Sequence, residues 1–95
     1  INNLIELSQA ERYFMLRQAQ ALALQGVRIA CHQRFDLRGE LTAEPDVFID
    51  INNLLIGNNY IGRNSIIGAN CILKNVKIGK DVVVHPFTHI ENAII

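Results

Sequence analysis

Charge of either sign is in no excess in this 95-residue chain: nine Lys+Arg stand against nine Asp+Glu, with 49% of residues apolar and 19% charged. That balance excludes both a basic stripe for nucleic acid and the polar surplus of a disordered chain. No run approaches the roughly 18 uninterrupted apolar residues of a membrane span, and no basic segment leads into an apolar core as in a signal peptide. A soluble, cytoplasmic protein without membrane insertion is expected. Cysteine is scarce. Cys31 and Cys71 stand far apart with no CxxC pair, which excludes a disulfide framework and a zinc signature and leaves two reduced thiols. Nucleophile elbow, P-loop and paired-carboxylate motifs are missing as well. A two-domain enzyme does not fit this length, since single domains run from about 50 to 250 residues. The chain opens on Ile1 and reaches Ile95 in the middle of an apolar pattern without a turn or cap signal, so it reads as a piece of a longer protein.

What is present begins with a helix. Ser8-Gln9-Ala10-Glu11 has the capping-box form, in which the serine oxygen takes the Glu11 amide and the glutamate reaches back to the Ser8 amide. A helix is therefore expected from near residue 9. Ala10, Phe14, Arg17, Ala21 and Leu24 recur at three- and four-residue steps, flanked by Tyr13, Leu16 and Leu22, and Gly26 stands where a left-handed C′ residue ends a helix. That gives roughly 17 residues, or about 25 Å. The polar residues Gln9, Glu11, Arg12, Gln18, Gln20 and Gln25 suggest one wet face, and the broad apolar stripe needs another element or subunit to cover it.

From Leu37 onward the period becomes six. Leu37, Ala43, Ile49, Leu55, Ile61, Ile67 and Leu73 lie six apart; after one step of five the series resumes at Ile78, Val84 and Ile90, and a second five-step lands on Ile95. Every one of these positions is apolar. Asp46, Asn52, Asn58, Asn64, Asn70 and Asp81 follow three residues later, the types that tolerate positive φ in a tight turn most readily after glycine. One residue further on, Asn53, Asn59, Ser65, Cys71 and Thr88 are mostly small or polar, and Gly62, Gly68 and Gly79 directly follow the apolar residue. Self-similarity at six residues with a turn residue in each unit signals a parallel β-helix. Three units make one triangular coil. The two five-residue units, at Leu73 and Ile90, then fall on the same face, one coil apart. Such coils wind left-handed, against the usual right-handed crossover. The fold expected is mainly β: a left-handed parallel β-helix of hexapeptide repeats preceded by one long α-helix. An open strand edge near Ile94-Ile95 and the uncovered helix stripe predict self-association.

Few residues carry chemistry. His85 and His89 are four apart, but the six-residue register places them on a β-helix corner and wall around Pro86, as solvated or packed surface residues rather than metal ligands. Cys71 falls in the small inward column and reads as a core thiol. His32 lies between helix and coils with no acid nearby in sequence. Turn geometry accounts for the asparagine series.

Three segments carry a family resemblance: Asn2-Asn3-Leu4-Ile5-Glu6-Leu7-Ser8-Gln9-Ala10-Glu11-Arg12, then Gly26-Val27 and Arg34-Phe35-Asp36-Leu37-Arg38-Gly39-Glu40-Leu41-Thr42, and finally Asn70-Cys71-Ile72-Leu73-Lys74-Asn75 with Ile78-Gly79. In this order they resemble the middle of the bacterial bifunctional N-acetylglucosamine-1-phosphate uridylyltransferase and glucosamine-1-phosphate N-acetyltransferase family. The resemblance implies that residues 1–26 are a linker helix segment, residues 27–36 a connection, and residues 37–95 the first coils of a truncated β-helix domain. It implies a parent enzyme that acetylates glucosamine-1-phosphate with acetyl-CoA and then uridylylates the product with UTP and magnesium (Mg2+). The UDP-N-acetylglucosamine formed feeds peptidoglycan and lipopolysaccharide synthesis. The parent is expected to be a homotrimer through the β-helix, with sugar phosphates, UTP and acetyl-CoA as its small-molecule partners and no nucleic acid.

Asn2 matches the family's Val-Asn-Asn motif, which implies that it helps bind magnesium and the nucleotide sugar; an amide oxygen is a hard ligand suited to that ion. The chain departs from the family at Leu4 and Glu6, where Arg and Gln are usual, and at Cys31-His32, where Asp-Pro is common. The acetyltransferase residues, including the catalytic histidine, belong to later coils, so no catalytic residue is expected in these 95 residues, no cofactor is expected bound to them, and the chain alone is expected to be inactive. Two other parents fit the coils: another hexapeptide acyltransferase of the serine acetyltransferase type, with more helices upstream, and a non-catalytic β-helix serving as an oligomerisation scaffold.

Overall fold

Asn3 starts the helix. In the computed structural model, which describes residues 3–95, its side-chain oxygen accepts the Ile5 N–H at 2.8 Å and the Glu6 N–H at 3.4 Å. α1 then runs Leu4–Leu24 with Glu6 in its first turn, where a carboxylate complements the positive end of the helix dipole. The start near residue 9 expected from Ser8 and Glu11 is thus corrected. Asparagine caps at least as well as serine, and nothing between Leu4 and Ser8 breaks a helix once Asn3 has begun it. The other end agrees with expectation. Gly26 adopts φ +92, its N–H donates to Ala23 O at 3.1 Å, and the Val27 N–H donates to Leu22 O at 3.0 Å, the paired bonds of a Schellman ending.

The side of α1 laid against the coils also differs from the expected stripe. Phe14 is 60% and Leu24 91% exposed, and Ala10, Arg17 and Ala21 are exposed with them. The inward residues are Arg12, Met15, Leu16, Ala19 and Leu22, with Ala19 and Leu22 buried. Apolar residues occur nearly all round this helix, so periodicity alone does not select a face. Arg12 selects it: its guanidinium donates to Phe35 O at 2.8 Å and to Asp36 Oδ1 at 2.7 Å, turning Arg12, Ala19 and Leu22 inward.

The coils follow as β1 (Arg28–Ile29), a 3-10 turn (His32–Arg34), β2 (Asp36–Ala43), β3 (Phe48–Ile49), β4 (Leu54–Ile61), β5 (Ile66–Ile67), β6 (Ile72–Lys74), β7 (Lys77–Ile78), β8 (Val83–Val84) and β9 (His89–Glu91). Every strand pair is parallel. One wall is β1-β3-β5-β8 and a second is β2-β4-β6-β9. The third is built from the ends of β2 and β4 with β7 and a bridge between Lys77 and Ile94. This is the expected parallel β-helix. Its register explains the five-residue steps. Leu54 pairs with Ile72 across an 18-residue coil, whereas Tyr60 pairs with Lys77 and Ile72 with His89 across 17. Leu73 lies directly on Ile90, so the two short units stack on the same wall as expected.

Ile49, Leu55, Ile61, Ile67, Leu73 and Ile78 have no solvent exposure. They form the aliphatic ladders that each coil adds to its neighbours, the nearest-neighbour stabilisation of a solenoid. The corners turn on left-handed residues. Asp46, Asn52, Asn64, Asn70 and Asp81 all have positive φ, as their column predicts, and so do Asn75, Phe87 and Asn92. Asn58 corrects the pattern: it lies within β4, and Gly57 beside it takes the left-handed conformation with φ +74. The Asn75 side chain folds over Gly57 to accept the Asn58 N–H at 2.9 Å, and a Cβ at residue 57 would collide with it.

Candidate functional site

Polar side chains occur in two settings, and only one of them is free to meet a ligand. The buried set is structural. Asn53 donates to Asp50 O at 3.0 Å and accepts the Cys71 N–H at 2.7 Å. Asn59 donates to Ile56 O at 3.0 Å and to Leu73 O at 3.3 Å, and accepts the Val76 N–H at 3.0 Å. Ser65 donates to Gly79 O at 2.7 Å and accepts the Val82 N–H at 3.1 Å. Each satisfies backbone groups that a corner takes out of the strand ladder. Their bonding is complete, so they are corner fasteners rather than ligand groups.

Asn2, the residue assigned to magnesium and nucleotide sugar by resemblance, lies outside the described residues. His85 is exposed, and its carbonyl oxygen accepts from Cys71 Sγ at 3.2 Å and from Thr88 Oγ1 at 2.6 Å. His89 Nε2 lies 3.1 Å from Glu91 Oε1 on the surface. The two histidines share no third ligand. Among the described residues no group of three His, Cys, Asp or Glu side chains could hold a metal; they do not fit a magnesium ion, and no reaction step is assigned to them. His32 sits half-buried in the 3-10 turn, Cys31 is a half-buried free thiol and Cys71 is a buried one. Among the described residues no helix is long and apolar enough to cross a membrane.

The structure brings together two groups that the sequence does not single out. On the third wall, Asn58, Tyr60, Asn75, Lys77 and Asn92 line an open groove of about 430 Å3, with Lys77 Nζ 5.8 Å from the centre of the Tyr60 ring. Beside it, Glu44 Oε1 accepts the Arg63 N–H at 3.0 Å. That bond, opposed by partial burial and aided by the Tyr60 hydroxyl, Lys80 and Arg63, holds the Glu44 carboxyl below its ordinary range. Desolvation and the neighbouring Glu44 push the Tyr60 phenol up. The second group is the junction of helix and coils, where Arg12 grips Phe35 and Asp36. A cleft of about 310 Å3 lies between α1 and β2. The sequence signal for the junction was Arg12 sharing one helical face with Met15, Ala19 and Leu22.

No protein-family model matches the chain. Among individual proteins, it is 46% identical over 93 residues to the bifunctional protein GlmU of Wigglesworthia glossinidia brevipalpis and 40% identical over 93 residues to that of Acidithiobacillus ferrooxidans; in both, the match covers 98% of this chain and 20% of the relative. The bifunctional protein GlmU of Neisseria meningitidis serogroup B is 45% identical over 89 residues, 94% of this chain and 20% of that protein. The chain thus spans about one fifth of the length of these relatives. With 40–46% identity across 94–98% of its length, the chain belongs, as a segment, to the bifunctional GlmU family.

Proposed function

We propose that the chain is the joint and coil-starting portion of a bifunctional enzyme that acetylates glucosamine-1-phosphate with acetyl-CoA and transfers a uridylyl group from UTP to N-acetylglucosamine-1-phosphate with magnesium. The observation that supports this most directly is the junction: α1 bound through Arg12 to Phe35 and Asp36, immediately ahead of a six-residue coil register, within a sequence 40–46% identical to bifunctional GlmU proteins. On this reading α1 links a nucleotidyltransferase domain to the β-helix. The coils act as the rigid base on which later coils carry acetyl transfer, in a cytoplasmic homotrimer. Asn2 serves the uridylyl site as a magnesium and nucleotide-sugar ligand.

The test is to assay the full-length polypeptide that carries this chain for both transfers, and the 95-residue chain for each separately. The full-length protein is expected to acetylate glucosamine-1-phosphate and to form UDP-N-acetylglucosamine, and to sediment as a trimer; the isolated chain is expected to do neither reaction. Acetyl transfer to serine instead of the amino sugar would move the assignment to the serine acetyltransferase type. Absence of both transfers from the full-length protein would leave an oligomerisation scaffold.

A further inference from the structure

We draw no further inference here: the strongest candidate, the outward row of half-buried Phe48 and exposed Ile66 and Val83 across the paired strands β3, β5 and β8, is an unpartnered apolar face, and nothing in the structure shows what covers it.

Discussion

In the coils, Ile49, Leu55, Ile61, Ile67, Leu73 and Ile78 recur at the spacing of the repeat and are fully buried, whereas on α1 only Ala19 and Leu22 are buried, while Leu4, Phe14 and Leu24 stand in solvent. The two regions use apolar residues differently. A β-strand exposes alternate side chains to opposite sides, so a coil position is inward or outward by its place in the strand, and each unit, of six residues or of five where a corner is shortened, returns the next apolar residue inward. A helix turns 100° per residue, and an apolar residue at almost any position can face the partner. The coils therefore carry their own instructions for burial, and the helix takes its instructions from what it docks against.

That contrast breaks most visibly in the ladders. Leu55→Ala is expected to cost about 3 kcal/mol in a denaturant titration, because the void cannot collapse between stacked coils. Leu24→Ala on α1 is expected to change stability by less than about 0.5 kcal/mol. Similar losses at both positions would erase the distinction. The corner fasteners come next. Asn59→Ala leaves the buried Val76 N–H without its acceptor and is expected to cost about 2 kcal/mol by the same titration. Arg12→Ala tests the docking of α1. Its side chain and that of Asp36 are 42% and 37% exposed, so solvent screens the pair and the expected loss is only about 1 kcal/mol. Amide hydrogen exchange should then accelerate in α1 and remain slow in β4 and β6. Phe87 offers a change of opposite sign. It holds φ +61 while 80% exposed, in the column where Asn52 and Asn70 make the same turn, and Phe87→Asn is expected to stabilise by up to about 1 kcal/mol.

The smallest expected effect is a pH dependence. Because Glu44 titrates below its ordinary value of 4.5 in the folded chain, its contribution is present above that pH and is lost as the pH falls from there through the folded value. Glu44→Gln should flatten the acid side of a plot of unfolding temperature against pH, leaving the neutral region unchanged.

Particular residues show how far the sequence could be read. Five of the six predicted turn positions, from Asp46 to Asp81, have positive φ, since asparagine and aspartate bear that conformation at small cost. Asn58 escapes because Gly57, one residue earlier, bears it at smaller cost still. Phe87 stands three residues after Val84, in the turn column, but phenylalanine as a residue type does not signal a left-handed turn, so only its place in the register marks it. In the helix, Ser8-Gln9-Ala10-Glu11 has the form of a capping box but lies inside a helix that Asn3 has already capped. The cleft was equally hidden, since its lining residues on α1 and β2 are distant in sequence and come to one place only through the docking of α1. The expectation that Asn2 binds magnesium and nucleotide sugar rests on the family resemblance alone, and Asn2 lies outside the described residues.

Spacing by itself determined the parallel coils, the stacking of Leu73 on Ile90 and the helix ending at Gly26, because each depends on local conformational preference repeated at a fixed interval. Tertiary structure decided which side of α1 is buried and that Arg12 joins helix to coils. Those outcomes rest on contacts between segments far apart along the chain, and no local preference encodes which distant carbonyl a guanidinium will find.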